Sequence, residues 1–150
     1  MEKIIEVIRI KQEIRELPIE YQEYDQYTIR SPYDAIDFAR ALIGDEDREV
    51  FLVMTLNTKN QITAVHRCHI GSINSSIVSP REVFKSAILN NGASIIVAHN
   101  HPSFNPEQSR EDVEVSKRLI ECGKILGIEV LDSVIVGMHK GISLKEKGYI

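Results

Sequence analysis

Two cysteines, Cys68 and Cys122, are all the thiols in 150 residues, and they stand far apart in the chain. No Cys-x-x-Cys is present, which argues against a disulfide scaffold and against a cysteine-based zinc knuckle. This usage suits a reducing compartment, and a cytoplasmic location is the expectation. An excess of positive charge is missing as well: 18 Lys and Arg face 22 Asp and Glu, for a formal net charge of −4. Phosphate backbones are gripped by clustered Lys and Arg, so this balance argues against strong, non-specific binding to nucleic acid. It leaves room for a local basic patch. No apolar run is long enough to span a bilayer, and the first ten residues carry charges throughout, so neither a membrane span nor a signal peptide is expected. Internal repeats and low-complexity tracts are also absent.

The length fits one domain with a single substantial core, and 43% hydrophobic with 27% charged residues is ordinary globular composition. Residues 1–30 read as an N-terminal strand, Ile4 to Ile10, followed by an extended arm around Pro18 and Tyr21 to Tyr27. The domain proper is expected over residues 31–150. Ser31-Pro32, with Asp34 in the first turn, opens a helix that Gly44 stops. Glu49 to Asn57 and Ile62 to Ile70 read as a hairpin around the turn at Thr58–Gln61. A second helix starts at Ser79-Pro80 and closes near Asn91-Gly92. Ala93 to Ala98 is a short β-branched strand, a third helix runs from about Ser109 to Gly127, and Ile128 to Val136 is a further strand. Helices alternating with strands predict an α/β fold, and the hairpin makes its sheet mixed.

The chemistry concentrates after the short strand. His99-Asn-His101-Pro is followed, seven residues on, by Ser109, and then by Asp112. Alternate strand residues share a face, so His99 and His101 project together if the strand extends through them. Asp112 falls in the first turn of the next helix. Two imidazoles and one carboxylate form a nitrogen-rich set for which zinc is the best match, with a fourth position left open. A second reading stands beside this one: Ser-x-x-Asp is also a capping pair, which would explain Ser109 and Asp112 without any metal. An open-site metal needs a proton acceptor close by, and Glu49, an acid at the mouth of an apolar strand, is the candidate. Glu49 could equally mark the exposed start of that strand. His66 and His69, three apart on a strand, are expected to face opposite sides. His139 falls in a turn, and Cys122 reads as core.

The stretch from Val97 to Asp112 resembles the JAMM motif of the JAB1/MPN metalloprotease superfamily. The wording His-Asn-His-Pro-Ser is similar to that of its bacterial RadC branch. Ser79 to Phe84 and Gly127 to Gly137 extend the resemblance over about Ser31 to Ile150. It implies the three-layer α/β/α fold of MPN and cytidine-deaminase-like domains. It implies one zinc per chain on His99, His101 and Asp112, with Glu49 as general acid/base and Ser109 stabilising an oxyanion. The implied activity is that of a zinc-dependent peptidase or isopeptidase on a peptide or protein substrate. Three departures stand out: Phe104 where RadC proteins usually have Gly, Gln108 where they tend to have Pro, and Ser133 where they commonly have His. Phe104 is expected to wall the site or touch substrate. Full-length RadC proteins begin with a helix-hairpin-helix region associated with DNA, and this chain resembles the short forms without one. Two alternatives remain open at this level: a metal-dependent nucleic-acid hydrolase or repair-associated protein, and a non-catalytic, zinc-stabilised interaction module.

Overall fold

In the computed structural model, which describes residues 1–103 and 105–150, eight regular elements follow one another from residue 32 onward. They are α1 (Pro32–Ile43), β1 (Val50–Leu56), β2 (Ile62–Ile70), α2 (Pro80–Leu89), β3 (Ser94–Asn100), α3 (Arg110–Leu126), β4 (Glu129–Val136) and β5 (Gly141–Ser143). The five strands form one sheet in the order β2-β1-β3-β4-β5. β3 and β4 run parallel; β1 pairs antiparallel with both β2 and β3, and β5 antiparallel with β4. Phe104 lies outside the described residues, and so does the expectation attached to it.

Strand parity sorts the core into two layers. Val50, Leu52, Met54 and Leu56 of β1 join Ile96 and Ala98 of β3 under α1. Phe51 and Val53 join Ile95 and Val97 beneath α2 and α3, with Phe84 and Leu119. A strand covered on both faces has no polar side to show, which is why β1 and β3 read as near-continuous apolar runs. The result is the α/β/α layering that the sequence resemblance implies. α3 lies close over β4: a Cβ on Gly123 would stand 3.2 Å from Val130 Cγ2. The helix ends at Gly127, whose φ of 73° is open to glycine at little cost. None of these helices is long and apolar enough to cross a membrane among the described residues.

The structure corrects the reading of the N-terminal segment. No strand forms at Ile4 to Ile10, and residues 1–18 carry no helix or strand. Alternating apolar residues make a strand only when an edge pairs with them, and none does here; Ile4, Ile5 and Ile8 stay exposed. The region around Tyr21 is not extended either. Ile19–Tyr24 winds into a 3-10 turn. Tyr24 then meets Phe38 edge-on at 5.1 Å between centroids, and Tyr27 stacks on the same ring at 6.3 Å. Burying two phenols against α1 outweighs an extended path.

The hairpin holds one further correction. A bulge shifts the β1–β2 register between Phe51 and Leu52, so His69 stands opposite Phe51 and His66 opposite Val53. The extra residue cancels the odd spacing. Both histidines therefore register against the β1 residues of the α2/α3 layer, not against opposite faces.

Candidate metal centre

β3 carries its histidines past its formal end. The His101 amide donates to the Val136 carbonyl at 3.0 Å, which prolongs the β3–β4 pairing by one residue. His99 and His101 consequently share a face, with ring centroids 5.1 Å apart. The His99 ring lies parallel to Phe51 on the neighbouring strand, 6.2 Å away and 10° out of plane.

Asp112 reaches this pair from α3. It is the third residue of the helix, and a reciprocal capping box fixes it there. The Ser109 amide donates to Asp112 Oδ2 at 2.8 Å, and the Asp112 amide donates to Ser109 Oγ at 3.1 Å. The same carboxylate faces both rings: Oδ1 lies 3.0 Å from His99 Nε2, and Oδ2 lies 3.3 Å from His101 Nε2. The capping and ligand readings of Asp112 are thus compatible. Locking the helix start is what aims the carboxylate at the imidazoles.

Whether a metal fits can be judged from His99. Its side chain is 3% exposed, yet neither ring nitrogen finds an aligned hydrogen-bond partner among the described residues. Nε2 is near Asp112 without the angle of a hydrogen bond, as two donor atoms pointing at a common third position would be. Leaving a buried polar atom without a partner costs about 1–3 kcal/mol, so the arrangement fits a cation better than a metal-free network. One ligand atom each from His99, His101 and Asp112 lie within 4.8 Å of one another. His101 Nδ1 is 2.9 Å from the Asn105 carbonyl. That contact places a proton on Nδ1 and leaves the Nε2 lone pair for a metal.

Charge supports the same assignment. Burial pushes the Asp112 carboxyl up, but the imidazoles of His101 and His99 and the Ser109 amide outweigh it and hold the group well below the usual carboxylate range. His101 moves the other way: its contact with Asp112 raises it against burial, helped by the Asn105 carbonyl and the Glu49 charge. A metal must displace the His101 proton to bind there, while Asp112 is already ionised. Metal affinity is therefore expected to fall as pH drops, starting above the ordinary imidazole value and reaching roughly tenfold per pH unit from His101 alone. Zinc competition titrations between about pH 8 and pH 5 check this; a flat profile would remove His101 from the site.

Glu49 sits immediately before β1 and is half-buried. Its Oε2 accepts from the Ile73 amide at 2.9 Å, and its carbonyl accepts from Gly71 at 2.8 Å. It is not one of the three converging groups. Among the departures from the RadC wording, Gln108 donates to the Tyr149 hydroxyl at 2.7 Å. Ser133 lies 2.8 Å from Ser116 Oγ, which donates to the Asp112 carbonyl. A serine pair thus ties β4 to the helix that carries Asp112. Sequence reasoning missed this pair, and it missed Phe51; nothing in a serine or a core phenylalanine signals such a contact before the layers are assembled. Cys122 belongs with the buried α2/α3 layer, as expected, and Cys68 joins it there.

Residues 29–149 match the model of the RadC-like JAB domain. The chain belongs to that family. Relatives named UPF0758 protein, from Bacillus cereus, Bacillus anthracis and Bacillus thuringiensis, are 54% identical over 136 residues. The match covers 91% of this chain and 60% of each relative, so this RadC-like chain spans well under two thirds of their length. The five-stranded mixed sheet with helices on both faces is consistent with a JAB/MPN domain. Its His99–His101–Asp112 cluster is a possible metal site in a family for which hydrolysis is a possible activity.

Proposed function

We propose that this RadC-like chain is a zinc-dependent hydrolase that cleaves an amide bond, as a peptidase or isopeptidase. The observation that carries the reading is the convergence of buried His99 and Asp112 with half-buried His101, and with Glu49 as a separate carboxylate whose charge reaches His101. Two imidazoles and a carboxylate suit zinc, which when bound supplies Lewis acidity and a water that ionises near neutral pH.

The remaining work falls to the chain's own side chains. Glu49 has one oxygen held by the Ile73 amide, which leaves the other to take a proton from the attacking water and pass it to the leaving amine. Ser109 uses its oxygen to accept from the Asp112 amide, so its hydroxyl proton is left to donate to the oxyanion that develops on the substrate carbonyl. Asp112 and His101 are oriented by the capping box and by the Asn105 carbonyl before any substrate arrives. A net charge of −4 favours a peptide or protein substrate over a polyanion.

The test is to strip the protein with a chelator, reload it with zinc, and digest a peptide library and isopeptide-linked lysine peptides under mass spectrometry. Cleavage that disappears with the metal and returns with it is the expected result. Stoichiometric zinc that raises the melting temperature while no amide is ever cut would instead identify a structural metal.

A further inference from the structure

Asn100 stands between the two histidines, and the sequence gives it no task. In the structure it ends β3, fully buried, in a strand otherwise made of Ser94, three β-branched residues, Ala98 and His99. A carboxamide at such a place needs partners for two donors and an acceptor. It has all three, and all belong to one short segment. Oδ1 accepts from the Val50 amide at 2.7 Å; Nδ2 donates to the Arg48 carbonyl at 2.9 Å and to the Glu46 carbonyl at 3.3 Å. Turning the amide over would set its N–H groups against an N–H and its oxygen against two carbonyls, so the partners themselves fix its orientation.

The backbone bonds made by Asn100 flank Glu49 on both sides. Main-chain pairing between β1 and β3 stops at Phe51–His99. Beyond that pair, the side chain of Asn100 takes over and holds the chain at residues 48 and 50. We propose that Asn100 is a positioning residue for Glu49: it clamps the segment that aims the carboxylate at the site built by its two sequence neighbours. A single side chain thereby couples the placement of the acid/base group to the strand end that presents His99 and His101. Serine at this position could donate only one hydrogen bond, and aspartate none, so only the carboxamide satisfies the three contacts. The catalytic half of the proposal rests on the acid/base reading of Glu49; the positional half does not.

Hydrogen exchange separates the two halves. The Ile73 amide reports where the Glu49 carboxylate is, because it donates to Oε2, and Ile73 has no hydrogen bond to Asn100. In the zinc-loaded full chain, Asn100→Ala should accelerate exchange at Val50 and at Ile73 by about tenfold or more. Glu49→Ala should accelerate Ile73 in the same way. Val97 in mid-sheet should keep its protection, and the variant should still load with zinc. Asn100→Ser serves if the alanine variant fails to fold, with a smaller effect of the same sign. An unchanged Ile73, or acceleration of the whole sheet together, would overturn the clamp. In turnover, Asn100→Ala should lower kcat in the parent background and add nothing in a Glu49→Gln background. An accelerated Ile73 amide with full turnover would leave the clamp standing and remove Glu49 from the chemistry.

Discussion

Glu49→Gln is expected to bind zinc like the parent protein and to lose about 10²–10⁴-fold in kcat, the range typical for a positioned acid/base group. In free energy this is about 2.7–5.4 kcal/mol of barrier. The substitution is nearly isosteric. Glutamine still offers an oxygen to the Ile73 amide at the place where Glu49 Oε2 now accepts, and Glu49 is not among the three converging donors. Fold and metal loading should therefore survive, and only the capacity to take and return a proton is lost. Steady-state turnover and metal content measured on the same preparation decide the matter. Unchanged kcat in a fully loaded variant would exclude the role, and loss of metal would move Glu49 among the ligands.

Asp112→Ala should produce the largest combined loss of stability and metal. Its carboxylate does three things at once: it caps α3 through the Ser109 amide, meets both imidazoles, and offers a ligand oxygen. Loss of the cap costs about 1 kcal/mol, and both imidazoles lose the carboxylate beside them. The outer hydrogen-bond partners of metal ligands are themselves worth about 10–100-fold in affinity, so losing the ligand should cost more than that. Ser109→Ala is the control. It removes the oxygen that accepts from the Asp112 amide but keeps the backbone amide that holds Oδ2, costs about 1 kcal/mol, and should lower zinc affinity far less than loss of the ligand itself. Calorimetric unfolding of the metal-free proteins and zinc competition titrations give both quantities. Equal behaviour of the two variants would reduce Asp112 to a cap.

The contrast between these residues shows how far the sequence could be read. A period of two placed His99 and His101 on one face, because a strand's alternation is local and survives any packing. Ser109 and Asp112 were ambiguous for a physical reason: a helix cap and a metal ligand ask for the same residues at the same spacing, and one carboxylate here both caps the helix and faces the two imidazoles. The layers were legible from apolar runs and helix punctuation. The bulge opposite Phe51 was not, since an extra residue leaves no mark on composition, and it reversed the expectation for His66 and His69. β5 escaped notice because three residues carry too little pattern. The packing of Tyr24 and Tyr27 on Phe38 needed α1 already in place. Asn100 carried no signal of its own because its partners lie some fifty positions away.

The lock at each end of the segment between His101 and Ser109 bears on how such chains can diverge. His101 is tied at one end to the Asn105 carbonyl, and the Ser109–Asp112 pair fixes the other. Lengthening a loop between anchored ends is thermodynamically mild, about 0.6 kcal/mol for each doubling. Insertions between residues 106 and 108 could therefore reshape what approaches the histidines while the donor atoms keep their places. Changes of the same size at residues 46–50 would have no such latitude, because there the anchor is the backbone itself.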